Sequence, residues 1–462
     1  MAQTRQKRAR TKTSNGADGA SANSGRAPQR ERLLASMVEL ASRHGYPGVS
    51  IAEISSHAGV SSATFYEQFA DKEDCLLAAY REAAAGIVKG VPPVASNGNW
   101  QEDSRTVVQG LLGALQADPD AGRVLLVEAL AGGSRVRAER EQVTDLFQGR
   151  AQEFIDASAE GGKALDLPAD VLLGAVRSIV SENLRTHSED RMGTLVDDMM
   201  AWIESYGVPA GEQGWSSGPN TLLPTRVAER WLAAATPALA LEKLPRGRHR
   251  LPAAAVERSQ RTRIIHGTSE VVVAKGYAAA TVADIVAAAS ISRDVFYGHF
   301  ANKHEAFLAA QRYGTQNLLE ACAAAYFAGQ TWPERVWLAL QVLVMTIAAN
   351  PGLTHLRIVE CYAAGTAAIE QTEELKRVAV IFLQEGFTVR PAAARIPRLA
   401  AHAITGAVFE NFYSAAARGA LAELPCRLPL FTYLATAPFI GPKRAIAAVE
   451  RLSAQAIQGA SG

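Results

Sequence analysis

Apolar residues recur three and four positions apart along most of the chain, which is the spacing of a helix that buries one face. In the first such segment the apolar positions run from Leu33 to Ala41, and the pattern stops at His44 and Gly45. Strict alternation of apolar and polar residues, which is typical of a half-buried strand, is almost absent. We therefore predict an all-α protein.

Further amphipathic segments in the first half cover about 71–89, 101–117, 119–131, 134–158, 168–187 and 191–206, and each has a counterpart in the second half. The longest apolar run, Val336 to Asn350, is interrupted by Gln341 and is shorter than the roughly 20 residues that span a bilayer. It predicts a core helix. No apolar segment follows the charged N-terminus, so we expect a cytoplasmic protein with no membrane partner.

A long internal repeat divides the chain. The segment Gln29 to Arg81 aligns without gaps with Gln260 to Arg312 at a constant offset of 231, and about 19 of the 53 aligned positions are identical. The similarity resumes between Asp118–Gly133 and Asn350–Gly365 at an offset of 232. The repeated unit is therefore a whole domain of about 200 residues and not a short solenoid module.

The two copies define the predicted domain organisation. Each copy begins with a short helical domain, here called a head, and continues into a longer helical body. The predicted bounds are a disordered basic arm at 1–28, the first head at 29–76, the first body at 77–206, a loosely structured connector with a basic cluster at 207–252, the second head at 253–307 and the second body at 308–460.

Charge is segregated along the chain although the totals nearly cancel, with 47 Lys and Arg against 46 Asp and Glu. Residues 1–30 hold seven basic residues against Asp18, and residues 243–263 hold seven against Glu257. A polar segment of this kind cannot offset its conformational entropy by burying apolar surface, so we expect the first segment to be disordered until it meets an anionic partner.

Each head compresses three helices into about 45 residues, and the last two have the spacing of a helix-turn-helix. In the first head the short helices are predicted at Ile51–Ala58 and Ser62–Gln68. Gly59 supplies the positive φ of the turn, and Ser61 caps the third helix. The second head has Ser290 and Ser292 at these two positions and so lacks the permissive glycine. Phe65 and Phe69, like Phe296 and Phe300, are predicted to face the core.

The run x-F-Y-x-x-F-x-x-K-x-x-x-L, preceded by a helix that ends R-H-G-Y and by the short helix I-A-E-I, resembles the DNA-binding domain of the tetracycline-repressor (TetR/AcrR) family of bacterial transcription regulators. The resemblance occurs twice and covers nearly all of the chain apart from the arm and the connector. It implies two recognition helices that enter successive major grooves of double-stranded DNA, and helical bodies that hold an effector pocket and a dimer interface.

The resemblance implies specific DNA contacts, and the chemistry of the side chains agrees with them. Tyrosine and lysine can reach phosphates, and Arg293 can read guanine through two hydrogen bonds. We expect Asp71 and Asn302 to cap the following helix, with Asp74 and Glu305 completing reciprocal caps. The predicted DNA-binding residues are Ser50, Ser61, Ser62, Thr64, Tyr66 and Lys72 in the first head and Thr281, Ser292, Arg293, Tyr297, His299 and Lys303 in the second.

The second head departs further from the regular pattern. Gly298 weakens its recognition helix by about 1 kcal/mol, and Asp294 brings an acid near the phosphates. Glu67 does the same in the first head. Arg293 is as well placed for a salt bridge with Asp294 as for a base. We therefore expect the first head to be the stronger DNA reader.

The bodies give weaker signals. By analogy with the family, the effector pocket would be walled by helices near 119–158 and 351–386, with Leu125, Leu126, Phe147 and Phe154 in one body and Leu356, Ile358, Tyr362 and Phe382 in the other. An apolar stripe is equally typical of plain core. Polar residues on two helices could serve as pocket groups, although satisfied or exposed side chains are the more common case: His402, Glu410 and Tyr413 on one helix, and Glu182 and His187 on another.

The pattern favours a repressor that a small apolar effector releases from DNA, with the two units paired within one chain or as a homodimer. The predicted pairing stripes are Leu172, Leu173, Val176 and Ile179 in the first body and Ile404, Val408 and Phe412 in the second. An alternative is a ligand- or protein-binding module in which one or both heads no longer read DNA. No catalytic triad, phosphate loop, metal knuckle or cofactor motif emerges, so we expect neither an enzyme nor a cofactor.

Overall fold

A computed structural model of the protein describes residues 18–92, 99–158, 163–209, 215, 223–226, 229 and 252–461. The fold is all-α, as predicted. The first half contains the helices α1 (Asp18–His44), α2 (Ile51–His57), α3 (Ser62–Gln68), α4 (Lys72–Gly90), α5 (Trp100–Ala117), α6 (Pro119–Leu126), α7 (Ser134–Ser158), α8 (Ala169–Arg185) and α9 (Leu195–Glu204).

The second half begins with the same order of helices and contains more of them. Its helices are α10 (Ala253–Lys275), α11 (Val282–Ala289), α12 (Arg293–His299), α13 (Lys303–Arg312), α14 (Thr315–Ala328), α15 (Trp332–Ala349), α16 (Pro351–Ile358), α17 (Cys361–Ala364), α18 (Thr366–Ala379), α19 (Leu399–Ala417), α20 (Leu428–Ile440) and α21 (Pro442–Ser461). Short 3₁₀ helices link several of them, at Tyr46–Gly48, Glu128–Ala131, Glu189–Thr194, Val380–Thr388, Pro391–Arg395 and Leu421–Arg427.

The first helix begins earlier than we expected. The predicted disordered arm extends to residue 28, whereas α1 already begins at Asp18 and runs through Pro28. Once the amphipathic part of α1 has formed, each further residue adds a hydrogen bond at little cost, so a polar composition does not by itself end the helix. The rest of the predicted arm, residues 1–17, lies outside the described residues.

The end of the first body and the start of the connector are more ordered than predicted. Strand β1 (Lys163–Leu165) pairs antiparallel with β2 (Gly207–Pro209). Beyond the sheet, the ring of Trp215 stacks on Tyr433 of the second half with centroids 4.9 Å apart, and its amide donates to the carboxylate of Asp166. This part of the connector is therefore anchored between the halves. Residues 230–251, with most of the second basic cluster, lie outside the described residues.

The two halves pack on each other through α8 and α19. A Cβ added to Gly174 would lie 3.2 Å from Cβ of Glu410, and one added to Gly406 would lie 2.4 Å from Cβ of Ser178. The offset of 232 converts the first pair into the second, so the two halves are related by a pseudo-twofold axis at this crossing. The predicted pairing of the terminal helices within one chain is present in the structure.

The side chains at this crossing differ from those we predicted in the second half. Ile404 and Val408 turn away from α8 and line a cavity inside the second body, while Gly406 and Glu410 face the first half. Apolar spacing identified the right helix but the wrong face, because both faces of α19 are buried.

Among the described residues, no single helix is long and apolar enough to cross a membrane. One bent pair, α15 with α16, meets that criterion by length and composition with an angle of 101° between the two helices.

Candidate nucleic-acid interface

The first head forms the predicted helix-turn-helix. Gly59 has φ of +64° in the turn, and a Cβ there would meet nothing nearer than the Arg32 side chain at 3.9 Å, so the backbone angle alone favours glycine. Ser61 caps α3 by accepting a hydrogen bond from the amide of Thr64. Ser50 caps α2 and forms a complete capping box with Glu53. Both short helices are therefore fixed at their N-termini by local hydrogen bonds.

The second head reproduces these caps with different residues. Thr281 forms the capping box of α11 with Asp284, and Ser292 caps α12. Ser290 takes the place of the turn glycine and adopts the left-handed region with φ of 51°. Its carbonyl accepts a hydrogen bond of 2.6 Å from Arg263. A non-glycine residue costs energy in this conformation, so the second turn carries strain that the first one lacks.

Each third helix buries two phenylalanines and exposes a tyrosine. Phe65 and Phe296 are fully buried, whereas the side chains of Tyr66 and Tyr297 are 59% and 56% exposed. Each tyrosine packs edge-on against the phenylalanine that precedes it, at 5.6 and 5.4 Å. The recognition helices thus present a large aromatic residue with a hydroxyl to solvent on a rigid base.

Some of the other predicted DNA-binding side chains are exposed, and others form hydrogen bonds within their own head. Ser62 and Arg293 are exposed. Thr64 is half-buried and bonds to the Ser61 hydroxyl at 3.0 Å. His299 lies 3.3 Å from the Gln260 side chain of α10 and therefore turns partly toward its own head. The salt bridge between Arg293 and Asp294 considered above is not formed.

The two lysines have a structural role that the sequence did not reveal. Nζ of Lys72 donates to the carbonyls of Tyr46 and Val49 at 3.0 and 2.8 Å, and it lies 4.2 Å from the centre of the Tyr46 ring. Nζ of Lys303 donates to the carbonyls of Tyr277, Ala278 and Ala280. Burial lowers the pKa of both ammonium groups. Two of the three donors of Lys72 and all three donors of Lys303 are thus engaged by backbone carbonyls.

Arginines that the sequence analysis did not single out support both recognition helices. The guanidinium of Arg30 lies over Phe69 at 5.3 Å, and that of Arg261 lies over Phe300 at 4.6 Å. These arginines stand at equivalent positions of the repeat. Their equivalence in the alignment was a detectable signal, although only the structure shows that they pack on the phenylalanines.

The helix that follows the recognition helix is capped as expected, with one difference. Asp71 accepts from the amide of Asp74, but Asp74 in return accepts from the amide of Ala70, one residue before the expected one. Asn302 and Glu305 repeat this arrangement with the amide of Ala301. The reciprocal cap thus extends into the loop that leaves the recognition helix.

Body residues hold each head in place. In the first unit Oε2 of Glu128 accepts the amide of Tyr46, and in the second unit Oε2 of Glu360 accepts the amide of Tyr277 at 2.7 Å. Arg135 of α7 also binds Asp71 of the first head at 2.6 Å. The second unit has Ala367 at the equivalent position, so it lacks this clamp.

The residues predicted to wall an effector pocket are dispersed. Leu356 is completely buried in the core of the second head, and Tyr362 packs edge-on against Tyr413. Leu125, Leu126 and Ile358 belong to the main core or pack against it, and Phe147 is half-buried. An apolar cavity lies elsewhere in the second body, and of the predicted wall residues only Phe382 lines it. Helical spacing cannot distinguish core from cavity, which explains the difference.

Within the described part of the chain, no three His, Cys, Asp or Glu side chains gather where they could hold a metal ion. The four cysteines are free, and Cys75, Cys322 and Cys361 are buried.

Comparisons with known proteins agree with the helix-turn-helix geometry. Residues 33–79 and 264–310 each match the N-terminal domain of the bacterial regulatory proteins of the tetR family. Uncharacterised HTH-type transcriptional regulators of Mycobacterium tuberculosis and Mycobacterium bovis are 27% identical over 180 residues, which cover 37% of this chain and 86% of each relative.

Two solved structures are similar to part of the chain. The fatty acid degradation regulator FadR from Bacillus halodurans matches with 20% identity and a TM-score of 0.34, over 38% of this chain and 94% of that one. FadR from Bacillus subtilis, solved in complex with stearoyl-CoA, matches with 18% identity and a TM-score of 0.32, over 37% and 96%. The two matches to the tetR-family domain, each on a helix-turn-helix unit, and the similarity to HTH-type regulators therefore support a tandem regulator of the TetR family.

Proposed function

We propose that the protein is a transcriptional repressor whose two unlike heads bind two half-sites on double-stranded DNA and leave them when a small apolar effector enters the second body. The proposed DNA contacts are the exposed groups of the recognition helices and their caps, led by Tyr66 and Arg293. The observation that carries the effector part of the proposal is an apolar cavity directly behind the pairing helix α19.

The cavity has a volume of about 80 Å³. Thr405 and Cys322 are the polar residues of its lining, and the other lining residues are Val336, Ala339, Leu340, Leu343, Ala379, Phe382, Leu383, Ile404, Val408, Phe409 and Ala435. Such a lining favours an apolar ligand, because a charged group would lose its hydration there without gaining a partner.

The size of the cavity suggests how an effector would act. Sites for drug-sized ligands measure roughly 300–1,000 Å³, so an effector of that size must push the surrounding helices apart. Ile404 and Val408 of α19 line the cavity, and Gly406 of the same helix contacts Ser178 of the first half. Displacing α19 therefore changes the crossing that sets how the two heads stand relative to each other, and with it the fit to successive major grooves.

The DNA part of the proposal is tested by selecting bound sequences from a random pool and measuring affinity for the selected site by fluorescence anisotropy. The expected site has two dissimilar half-sites, and placing it in a promoter should lower expression of a reporter. A protein that selects no sequence, or whose binding hardly depends on salt, would favour the alternative module that no longer reads DNA.

The effector part is tested with octanol as an apolar probe of the cavity. We expect octanol to weaken binding to the selected site in the wild type, and Ala379→Phe, which fills the cavity from α18, to remove that response. Ala367→Phe is the matched control, because Ala367 is exposed on the same helix. An equal octanol response in both variants would rule out this cavity while leaving DNA binding intact.

A further inference from the structure

The pairing interface between the two halves contains buried charges that are not shared equally. Nη1 of Arg177 lies 2.7 Å from Oε2 of Glu410, and Nη2 of Arg140 lies 3.2 Å from the same oxygen. The guanidinium of Arg140 also covers the ring of Tyr413 at 4.6 Å. These ionic side chains are largely buried, with Arg140 only 7% exposed. Both arginines belong to the first half and the glutamate to the second.

The pseudo-twofold axis shows that this arrangement is one-sided. Applying the offset of 232 to the cluster replaces Arg140 by Thr372, Arg177 by Phe409 and Glu410 by Ser178. The second half therefore offers no arginine at the equivalent positions, and the first half offers no glutamate. One end of the crossing is ionic, and the symmetry-related end is neutral.

In most of the other ion pairs between the halves, the first half again supplies the basic residue and the second half the acidic one. Arg137 of the first half lies 3.6 Å from Glu360 of the second, and Arg185 lies 2.9 Å from Glu373. Arg427 with Asp170 is the reverse case, since there the second half supplies the cation. The face of the first half is thus mainly cationic and that of the second half mainly anionic.

If two first halves or two second halves paired with each other, these buried charges would have no partner of opposite sign. Two first halves would bury two copies of Arg140 and Arg177 against Ser178, and two second halves would place Glu410 against Gly406 and Phe409. An uncompensated charge at a buried interface strongly destabilises that interface. A pairing surface of this kind discriminates against a wrong partner as much as it favours the right one.

We propose that the Arg140–Glu410–Arg177 cluster is a specificity determinant that makes the two halves of this chain partners of each other and prevents pairing between identical halves. Each chain is therefore a self-contained pair with two unlike heads, and it does not exchange halves with proteins whose pairing surface lacks these charges. The anchoring of the connector through Trp215 brings the correct partner close, and the buried charges select it.

The proposal is tested by reversing the charges in the full chain. R140E combined with R177E gives the first half the wrong sign for its own second half, and E410R gives the second half the wrong sign for its own first half. We expect each variant alone to lose the single-chain mass of 49.1 kDa or to melt at least about 5 °C lower than the wild type. R81E is the control, because Arg81 pairs with Glu139 within the first half and its side chain is largely exposed.

Two rescue experiments separate pairing from a general loss of folding. All three substitutions in one chain should restore a single-chain species with a melting temperature close to the wild type. Co-expressing the R140E/R177E chain with the E410R chain should yield a complex of twice the single-chain mass, since each half then finds its complementary charge in the other chain. Light scattering measures both masses.

Failure of both rescues would overturn the proposal, as would charge-reversed chains that keep the wild-type mass and melting temperature. None of these outcomes depends on an operator or an effector, so the result stands apart from the proposed function.

Discussion

The backbone amide of Tyr46 donates a hydrogen bond of 2.6 Å to the carboxylate of Glu128, and this contact ties the first head to its body. The second unit has the same contact between Tyr277 and Glu360. The two carboxylates nevertheless have different surroundings. Burial raises the pKa of Glu128 to about 7, whereas Glu360 has His355 and Arg137 beside it.

Glu128→Gln is expected to stabilise the protein above neutral pH. Because the folded-state pKa of about 7 lies above the ordinary value of 4.5, the stability that the protonated group contributes is full below about pH 4.5 and is lost as the pH rises toward 7. Glutamine keeps an acceptor for the Tyr46 amide and does not ionise. Thermal melts should show a gain of about 2 kcal/mol near pH 8 and little difference near pH 5.

Glu360→Gln is the matched control and should have the opposite sign. Burial alone would raise the pKa of Glu360, but His355 beside it, the hydrogen bond from the Tyr277 amide and the charge of Arg137 hold that pKa below its ordinary value. The stability that ionised Glu360 contributes to the fold is therefore present above pH 4.5 and is lost as the pH falls through the lowered pKa. A loss of about 2 kcal/mol at neutral pH is expected. Equal effects of the two variants would contradict this assignment.

Exchanging glycine and serine at the turn position should change the stability of the two heads in opposite senses. Ser290→Gly should stabilise the second head by about 1 kcal/mol, because it removes a side chain from a left-handed conformation. Gly59→Ser should destabilise the first head by a similar amount, since φ there is +64°. Hydrogen exchange of α2 and α11 amides reports on each head separately. A destabilised Ser290→Gly protein would show that the Ser290 hydroxyl matters more than its backbone.

Lys72→Ala is expected to affect both folding and DNA binding. Loss of the charged donor leaves the carbonyls of Tyr46 and Val49 without that partner and should cost about 2 kcal/mol of stability. If its remaining N–H contacts a phosphate, the salt dependence of binding should also fall by roughly one counterion. Titrations at several salt concentrations measure the slope. A lower melting temperature with an unchanged slope would show that Lys72 stabilises the head through the carbonyls of Tyr46 and Val49 but does not contact DNA.

The two exposed tyrosines should contribute unequally to DNA binding. Tyr66→Ala is expected to weaken binding more than Tyr297→Ala, because the second recognition helix is held by a strained turn and contains Gly298 and Asp294. Both side chains are more than half exposed, so neither change should alter the melting temperature by much. Affinities for the selected site at one fixed salt concentration decide the order. The reverse ranking would point to Arg293 as the main anchor.

Local signals predicted the heads well. Apolar spacing, the turn glycine and the serine caps located α2 and α3 within one residue, since all of these interactions join residues close in sequence. The same logic predicted the burial of Phe65 and Phe69. The recurrence of these signals at a constant offset is what made the tandem organisation visible.

Contacts between distant residues were not predictable in the same way. Nothing in the sequence around Lys72 shows that its ammonium group returns to carbonyls more than twenty residues earlier. Glu410 was one of several polar residues on an apolar helix, and its role depends on Arg140 and Arg177 from another unit. The cavity could not be predicted because its walls come from six helical segments that are distant in sequence, and only their packing leaves the space open.

The close approach of α8 and α19 at Gly174 and Gly406 has a mechanical consequence. Because glycine has no side chain, each helix lies directly against the residue that its partner presents there, Ser178 opposite Gly406 and Glu410 opposite Gly174. A methyl group at Gly406 would therefore collide with Ser178, push α8 and α19 apart and change how the two halves cross.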